Sequence, residues 1–171
     1  MCGVRQRFLG LCLPALAFAV LDGTLTLAGQ SAEYWGGAYA RVNEASPTFH
    51  YLLAAHPLAF AGGLLGWMAL FVSIILLLPD TLALVMSIAV TLGHTVGAAT
   101  WVLWRFSYGY QACNGLFLLA AVALGLGIRW GWRAGPPGEY HLPVMTPRWR
   151  WVLAAALFAV GVYLFLWPRS V

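Results

Sequence analysis

The sequence contains no lysine, and only 8% of its 171 residues are charged. Soluble domains carry about 25% charged residues, so this composition excludes an ordinary soluble globular protein. The formal net charge of +4 therefore comes entirely from arginine. We expect no nucleic-acid partner, because the arginines do not form the basic face that nucleic-acid-binding domains present.

Cysteine is also scarce, with Cys2, Cys12 and Cys113 as the three instances. The number is odd and no CxxC pair occurs, so the spacing does not indicate a disulfide framework or a zinc site. We expect Cys12 and Cys113 to lie near opposite membrane faces, too far apart for a disulfide bond.

Long apolar runs dominate what remains, since 62% of the residues are hydrophobic. Each of five runs approaches or exceeds the roughly 20 residues that a helix needs to cross a bilayer. The predicted fold class is therefore an all-α membrane protein, one domain over 1–171 with five transmembrane helices and a short interfacial helix after the first. The spans are predicted near 8–28, 48–78, 81–107, 111–130 and 148–167, with an outer loop at 29–47 and an inner loop at 131–147.

Arginine positions predict the orientation of the chain. Six arginines fall on one side of the predicted spans and three on the other side. Because basic residues accumulate in cytoplasmic loops, this asymmetry predicts the N-terminus inside and the C-terminus outside. We expect a bacterial inner (cytoplasmic) membrane. The first group is Arg5, Arg7, Arg129, Arg133, Arg148 and Arg150, and the second is Arg41, Arg105 and Arg169.

Asp22 is the most informative residue, because it puts a carboxylate near the end of the first apolar run. An acid at membrane depth costs roughly 2.5–3.5 kcal/mol on insertion scales, so such residues usually have a partner or a function. Counting from the Pro79-Asp80 hairpin, His56 and Arg105 lie within about 3 Å of one another in depth, and Asp22 lies about 9 Å inside the outer end.

We therefore predict a polar layer beneath the outer membrane face, with Glu44 on the loop above it. Its members are Asp22, His56, Arg105 and Asn114.

The third run carries a stripe of residues at spacings of 4, 3, 4, 3 and 4. This spacing is typical of one helix face, and polar residues on such a face should point into the bundle or a wet cavity. His94, a member of the stripe, is predicted about 13 Å deeper than His56 from the helical rise. The stripe consists of Ser87, Thr91, His94, Ala98, Trp101 and Arg105.

The polar residues have structural interpretations and, for some of them, functional ones. Asp22 pairs with Arg105 as a structural ion bridge, takes part in binding or proton transfer, or extends its carboxylate from a helix end to the membrane surface. Arg105 anchors at the interface or binds an anion, and His94 hydrogen-bonds a neighbouring helix. Glu44 is expected to stabilise the start of the second span through the helix dipole.

Aromatic residues follow the first span at Tyr34, Trp35 and Tyr39. Rings of this kind suit the headgroup zone, so they are predicted to form an interfacial rim, with a lid over a cavity as the alternative.

Metal and haem chemistry fit the sequence only partly. Asp22, Glu44 and His56 are suitable oxygen and nitrogen ligands for a divalent ion, but no paired-ligand motif supports a metal site. Bis-histidine haem needs His56 and His94 at one depth, which the hairpin estimate opposes. We therefore predict no metal and no cofactor, with bound lipid as the expected ligand.

The small-residue helix faces and the lack of a catalytic motif favour a non-enzymatic role. We expect an accessory subunit of a membrane complex, or a module that binds a lipid-like or small hydrophobic ligand in an outward-facing polar pocket. Other membrane subunits or further copies of this chain are the expected partners. The alternative is an intramembrane enzyme or proton-coupled site built on Asp22, His56 and Arg105.

Overall fold

The computed structural model describes residues 8–103, 105, 107–132 and 147–166. The predicted inner loop lies almost entirely outside these residues, as do Cys2 and the arginines at 5, 7, 133 and 169. Within the described residues the chain is all-helical, as predicted. We number the helices α1 (Leu13–Ala28), α2 (Ala32–Trp35), α3 (Pro47–Ala55), α4 (Pro57–Leu77), α5 (Asp80–Leu103), α6 (Gly109–Trp132) and α7 (Pro147–Leu166).

Four segments are long and apolar enough to cross a membrane. They are Phe8–Ala28, Pro57–Leu77, Thr81–Leu103 and Gly109–Trp130. The first of them includes a π-helical turn at Phe8–Cys12 that leads into α1. Pro14 has no N–H to complete the usual helical hydrogen bond at this point, which accounts for a locally wider turn.

The predicted second run, 48–78, is not one helix. His56 is extended (φ −177°, ψ 147°), and it separates α3 from α4. Pro57 causes the break, since a proline disfavours helical geometry in the residue before it and cannot donate to the carbonyl of Leu53. His56 instead caps α4, because its Nδ1 accepts a hydrogen bond from the backbone N–H of Leu58 at 3.1 Å.

The carbonyl that Pro57 leaves without a helical donor is satisfied by a distant tyrosine. The hydroxyl of Tyr34 donates to the Leu53 carbonyl at 3.1 Å, and the Tyr34 side chain is fully buried. Tyr34 belongs to α2, a single turn capped by Ser31, whose hydroxyl accepts from the Tyr34 N–H. The loop after α1 is thereby fastened to the α3–α4 break.

Helix α5 is central to the bundle, because it packs against α1, α4 and α6, while α7 packs against α4. The hydroxyl of Ser87 on α5 donates to the Leu11 carbonyl in the π-helical turn. Near the end of α4, Arg150 of α7 donates twice to the Leu77 carbonyl, at 3.2 and 3.0 Å. The Arg150 contact supplies donors for a carbonyl in the last turn of α4, where carbonyls have no partner within the helix.

Candidate functional site

Asp22 and His94 form a hydrogen-bonded acid–base pair between α1 and α5. The Nδ1 atom of His94 lies 2.9 Å from Oδ2 of Asp22. The His94 side chain is 12% exposed and the Asp22 side chain is 21% exposed, so the pair is largely enclosed. With Asp22 ionised, the histidine Nδ1–H donates to the carboxylate. The other ring nitrogen, Nε2, is then the atom of His94 that can form a further hydrogen bond.

A glycine on α5 makes room for this carboxylate. A Cβ atom at position 97 would lie 2.6 Å from both carboxylate oxygens of Asp22. Gly93 and Gly97 are four residues apart, which is the spacing of a helix-packing motif, but their surroundings differ. Gly97 accommodates an acid, and a Cβ at Gly93 would have no atom of the described residues within 4 Å.

The stripe predicted on α5 faces α1. Besides the Ser87 and His94 contacts, the ring of Trp101 lies against Gly29 at the end of α1. Arg105 reaches the same place, because its Nη2 donates to the Gly29 carbonyl at 3.1 Å. Contacts advance together along both helices, so α1 and α5 run parallel.

The acid–base pair lines a cleft of about 1290 Å³. Helices α1, α4 and α5 supply most of its wall, the segment 43–49 and Leu52 of α3 close one end, and Val160 of α7 flanks it. Exposed residues Gly66, Gly93 and Val96 stand on the walls contributed by the two arms of the α4–α5 hairpin. The cleft is therefore open along these arms, and it is also open at its polar end, where Asn43, Ala45 and Arg105 are exposed.

Apolar groups make up most of the cleft surface, and polar groups gather towards one end. The apolar lining includes Phe49, Phe60, Leu64, Trp67, Leu70, Met86, Val90 and Trp101. The polar lining includes Asp22, Thr26, Asn43, Glu44, Ser46, Thr48, His94, Thr100 and Arg105. The arrangement resembles ligand pockets in general, which are apolar with a few placed polar groups.

Gln30 holds the polar end of the cleft in position. Its side-chain N–H₂ donates to the carbonyls of Thr26 and Asn43, each at 2.9 Å, and its Oε1 accepts from the Asn43 N–H at 2.9 Å. One buried amide thus joins the end of α1 to the segment that carries Glu44.

Glu44 and Ser46 lie beside each other on this segment. The Ser46 backbone N–H donates to Oε1 of Glu44 at 2.7 Å, just before α3 begins. Burial raises the pKa of the Glu44 carboxyl above its ordinary value; the Ser46 hydrogen bond opposes this, and the charge of Asp22 adds to it. Two acids therefore share one partly enclosed space.

The Ser46 hydroxyl is the one side-chain oxygen in the described part of the chain that is buried without a hydrogen-bond partner. Ser46 is the N-cap residue of α3, as its position before Pro47 predicts, but its hydroxyl makes no capping bond. Buried polar groups normally have partners, so an unsatisfied hydroxyl in a cleft wall requires an explanation.

The structure thus brings together four of the predicted site residues, namely Asp22, Glu44, His94 and Arg105, around one cleft. The predicted ion pair between Asp22 and Arg105 is not formed, because Asp22 bonds to His94 and Arg105 bonds to Gly29. His56 and Asn114 do not line the cleft. His56 is used as a helix cap, and Asn114 is exposed on α6.

The residues of the predicted aromatic rim differ in exposure. Trp35 is 53% exposed, as a rim residue should be, whereas Tyr34 is buried. Tyr39 packs edge-on against the rings of Tyr34 and His56, with centroids 5.3 and 5.2 Å apart. These tyrosines support the loop over the α3–α4 break.

No group of three or more His, Cys, Asp or Glu side chains is arranged to hold a metal ion in the part of the chain that the structure describes. The candidate metal ligands Asp22, Glu44 and His56 are not brought together. Asp22 and Glu44 line the cleft, whereas Nδ1 of His56 accepts a hydrogen bond from its own helix.

Sequence reasoning missed Gln30, Ser46 and Trp67 as parts of the site. Gln30 gave a weak signal as an amide next to the end of an apolar run. The glycines on both arms of the hairpin gave a stronger one, because paired small residues can indicate a void as well as close packing.

Comparison with protein-family models, with curated proteins and with solved structures found no match for this chain. The functional argument therefore depends on the geometry of the cleft.

Proposed function

We propose that this protein is an integral membrane protein that binds a lipid-like amphiphile in the cleft between α4 and α5. The observation that carries the proposal is the cleft itself, with apolar walls, a polar end and an opening along α4 and α5. Its volume of about 1290 Å³ exceeds the roughly 300–1,000 Å³ of typical small-molecule pockets. An apolar chain would lie along the helices, and its head group would reach Asp22 and His94.

The orientation belongs to the same proposal. Helix α7 has the 20 residues of a span, and it serves as the fifth one, with the N-terminus inside and the C-terminus outside a bacterial inner membrane. The polar end of the cleft then lies near the outer face. Exposed apolar side chains on α6, such as Leu118, Leu119 and Val122, face lipid in this arrangement.

Two glycines make the proposal testable, because a Cβ at Gly66 or Gly93 would have no atom of the described residues within 4 Å. Gly66→Leu and Gly93→Leu would place an apolar side chain in the cleft, and the Cβ of each meets open space in the empty protein. Gly125→Leu is the matched control, since Gly125 on α6 is equally open and does not line the cleft.

Native mass spectrometry of protein released from mild detergent measures the lipid retained by each variant. Wild type and Gly125→Leu should retain an amphiphile, and the two plugged variants should lose it. Equal retention by all four proteins, or none by wild type, would contradict the proposal.

The Asp22–His94 pair supports a second candidate function, a proton-coupled site. An acid and a base in hydrogen-bond contact, lining a partly enclosed cleft, form a unit through which a proton can pass. Proteoliposomes containing a pH-sensitive dye would then show proton flux that Asp22→Asn abolishes while the variant still inserts. Equal flux in both proteins would eliminate this candidate.

A further inference from the structure

The polar end of the cleft is richer in hydrogen-bond acceptors than in free donors. Oδ1 of Asp22 has no hydrogen-bond partner among the described residues, since His94 bonds to Oδ2. The Glu44 carboxyl faces the same space. Arg105 is the cation of the cleft lining, but its guanidinium is exposed and one of its amino groups is occupied by the Gly29 carbonyl.

The charges at this end disfavour an anionic head group. A phosphate or carboxylate placed beside Asp22 would approach two acids, and like charges in a low-dielectric space repel strongly. A group that brings its own N–H or O–H would instead satisfy Asp22, and the Ser46 hydroxyl, which is closed off in the empty protein, would pair with the group after rotating towards the cleft. Leaving a buried polar group without a partner costs more free energy than a typical hydrogen bond contributes to stability. A ligand that supplies the missing partner is therefore favoured.

We propose that the ligand is an amphiphile whose head group donates hydrogen bonds, an alcohol or a protonated amine, and that it enters sideways between α4 and α5. The inference rests on the proposed function and adds the chemical class of the head group. Asp22 accepts from the head group, Ser46 provides a second contact, and the chain lies against Trp67 and Trp101.

Four single-chain probes with the same chain and different head groups test the head-group class. They are tetradecanol, tetradecylamine, tetradecyl methyl ether and myristate, each brominated on the chain. The protein is placed in phosphatidylcholine nanodiscs, because that lipid has no N–H or O–H donor. Bromine quenches tryptophan fluorescence, and the difference between wild type and Trp67→Phe isolates quenching in the cleft.

The alcohol or the amine, or both, should bind about tenfold more tightly than the ether, the loss that follows one missing hydrogen bond to a charged group. Asp22→Asn should reduce this ratio to about threefold or less. Ser46→Ala gives an independent check that does not threaten folding, since its hydroxyl bonds to no group among the described residues. The substitution should weaken binding of the alcohol and the amine and leave binding of the ether unchanged.

Each outcome has one meaning. A preference for the amine assigns an ammonium head group, and a preference for the alcohol assigns a hydroxyl. If the ether binds as well as both donors, or myristate binds best, the head-group class is wrong while amphiphile binding stands. If none of the four probes produces quenching that depends on Trp67, the proposed function itself fails.

Discussion

The carboxylate of Asp22 lies directly against the backbone of Gly97, so α5 approaches the acid where it has no side chain. A Cβ at position 97 would come within 2.6 Å of both carboxylate oxygens. His94 lies three residues before Gly97 on α5, and its hydrogen bond holds the Asp22 carboxylate against Gly97. The position of the acid is therefore determined by one glycine and one histidine.

Gly97→Ala should destabilise the protein by about 1–3 kcal/mol, because the added methyl group must displace the Asp22 carboxylate from a filled space. Gly93→Ala is the control, since a Cβ there meets open space. Thermal unfolding in detergent would show a lower Tm for Gly97→Ala and little change for Gly93→Ala. Equal Tm values for the two variants would contradict the tight fit.

Asp22→Ala and His94→Ala should show non-additive effects on the free energy of unfolding. Either single change leaves a polar group without its partner in an apolar setting, whereas the double change removes both groups. Interhelical hydrogen bonds in membranes give coupling energies of about 0.6 kcal/mol on average and up to about 1.7. A double-mutant cycle with steric trapping in bilayers measures the coupling, and simple additivity would show that the contact contributes nothing.

Glu44 should make the protein less stable as pH rises through the acidic range. Burial raises the pKa of its carboxyl in the folded state, so the folded protein holds this proton more tightly than the unfolded chain does. Between the ordinary and the raised value the folded state binds more protons, and the free energy of unfolding falls with increasing pH. Above the raised value the loss is complete and the curve is flat again.

Glu44→Gln provides the comparison, because its amide oxygen can still accept from the Ser46 N–H and carries no charge. Chemical unfolding is measured from the ordinary glutamate pKa to neutral pH. The free energy of unfolding of the variant should increase relative to that of the wild type as pH increases. Parallel curves for the two proteins would show that Glu44 does not have a raised pKa in the folded state.

Tyr34→Phe should lower the free energy of unfolding by about 1–2 kcal/mol, because it leaves the Leu53 carbonyl without the donor that replaces Pro57. Tyr110→Phe is a suitable control, since Tyr110 is 70% exposed. Hydrogen exchange should also increase at the start of α4. Identical stability of the two variants would mean that this hydroxyl is not required at the α3–α4 break.

The sequence predicted the parts of this fold that depend on the helical period and on length. The stripe through His94 and Trp101 faces α1 because its period is that of a helix, whatever surrounds it. Helices α3 and α7 begin at Pro47 and Pro147, one residue from the predicted span starts at 48 and 148, because proline is favoured in the first turn of a helix. The break at His56 was equally readable, since proline restricts the residue before it, but the length of the apolar run concealed it.

The partner of Asp22 could not be predicted in the same way. Asp22 lies six residues before the end of α1, and His94 lies nine residues before the end of α5. That offset corresponds to about 4.5 Å along the helix axes, which two side chains can span. Arg105 lies two residues beyond the end of α5, eight residues or about 12 Å from Asp22 in depth, but the predicted span end at 107 placed it only four residues or about 6 Å away. The predicted bounds therefore favoured Arg105 as the partner, and the rotation of each helix about its axis could not be read from the sequence. Rotation depends on packing across the whole bundle.

Parallel packing of α1 and α5 has a consequence for how the protein is made. Asp22 and His94 are separated by 72 positions along the chain. At about 5–20 residues per second, a ribosome needs roughly 4–14 s to synthesise that interval. During this time Asp22 lacks His94, and it must be hydrated or in contact with the insertion machinery. Stalled synthesis before α5 would leave a nascent chain with a solitary acid in the bilayer, a feature by which membrane quality control could recognise it.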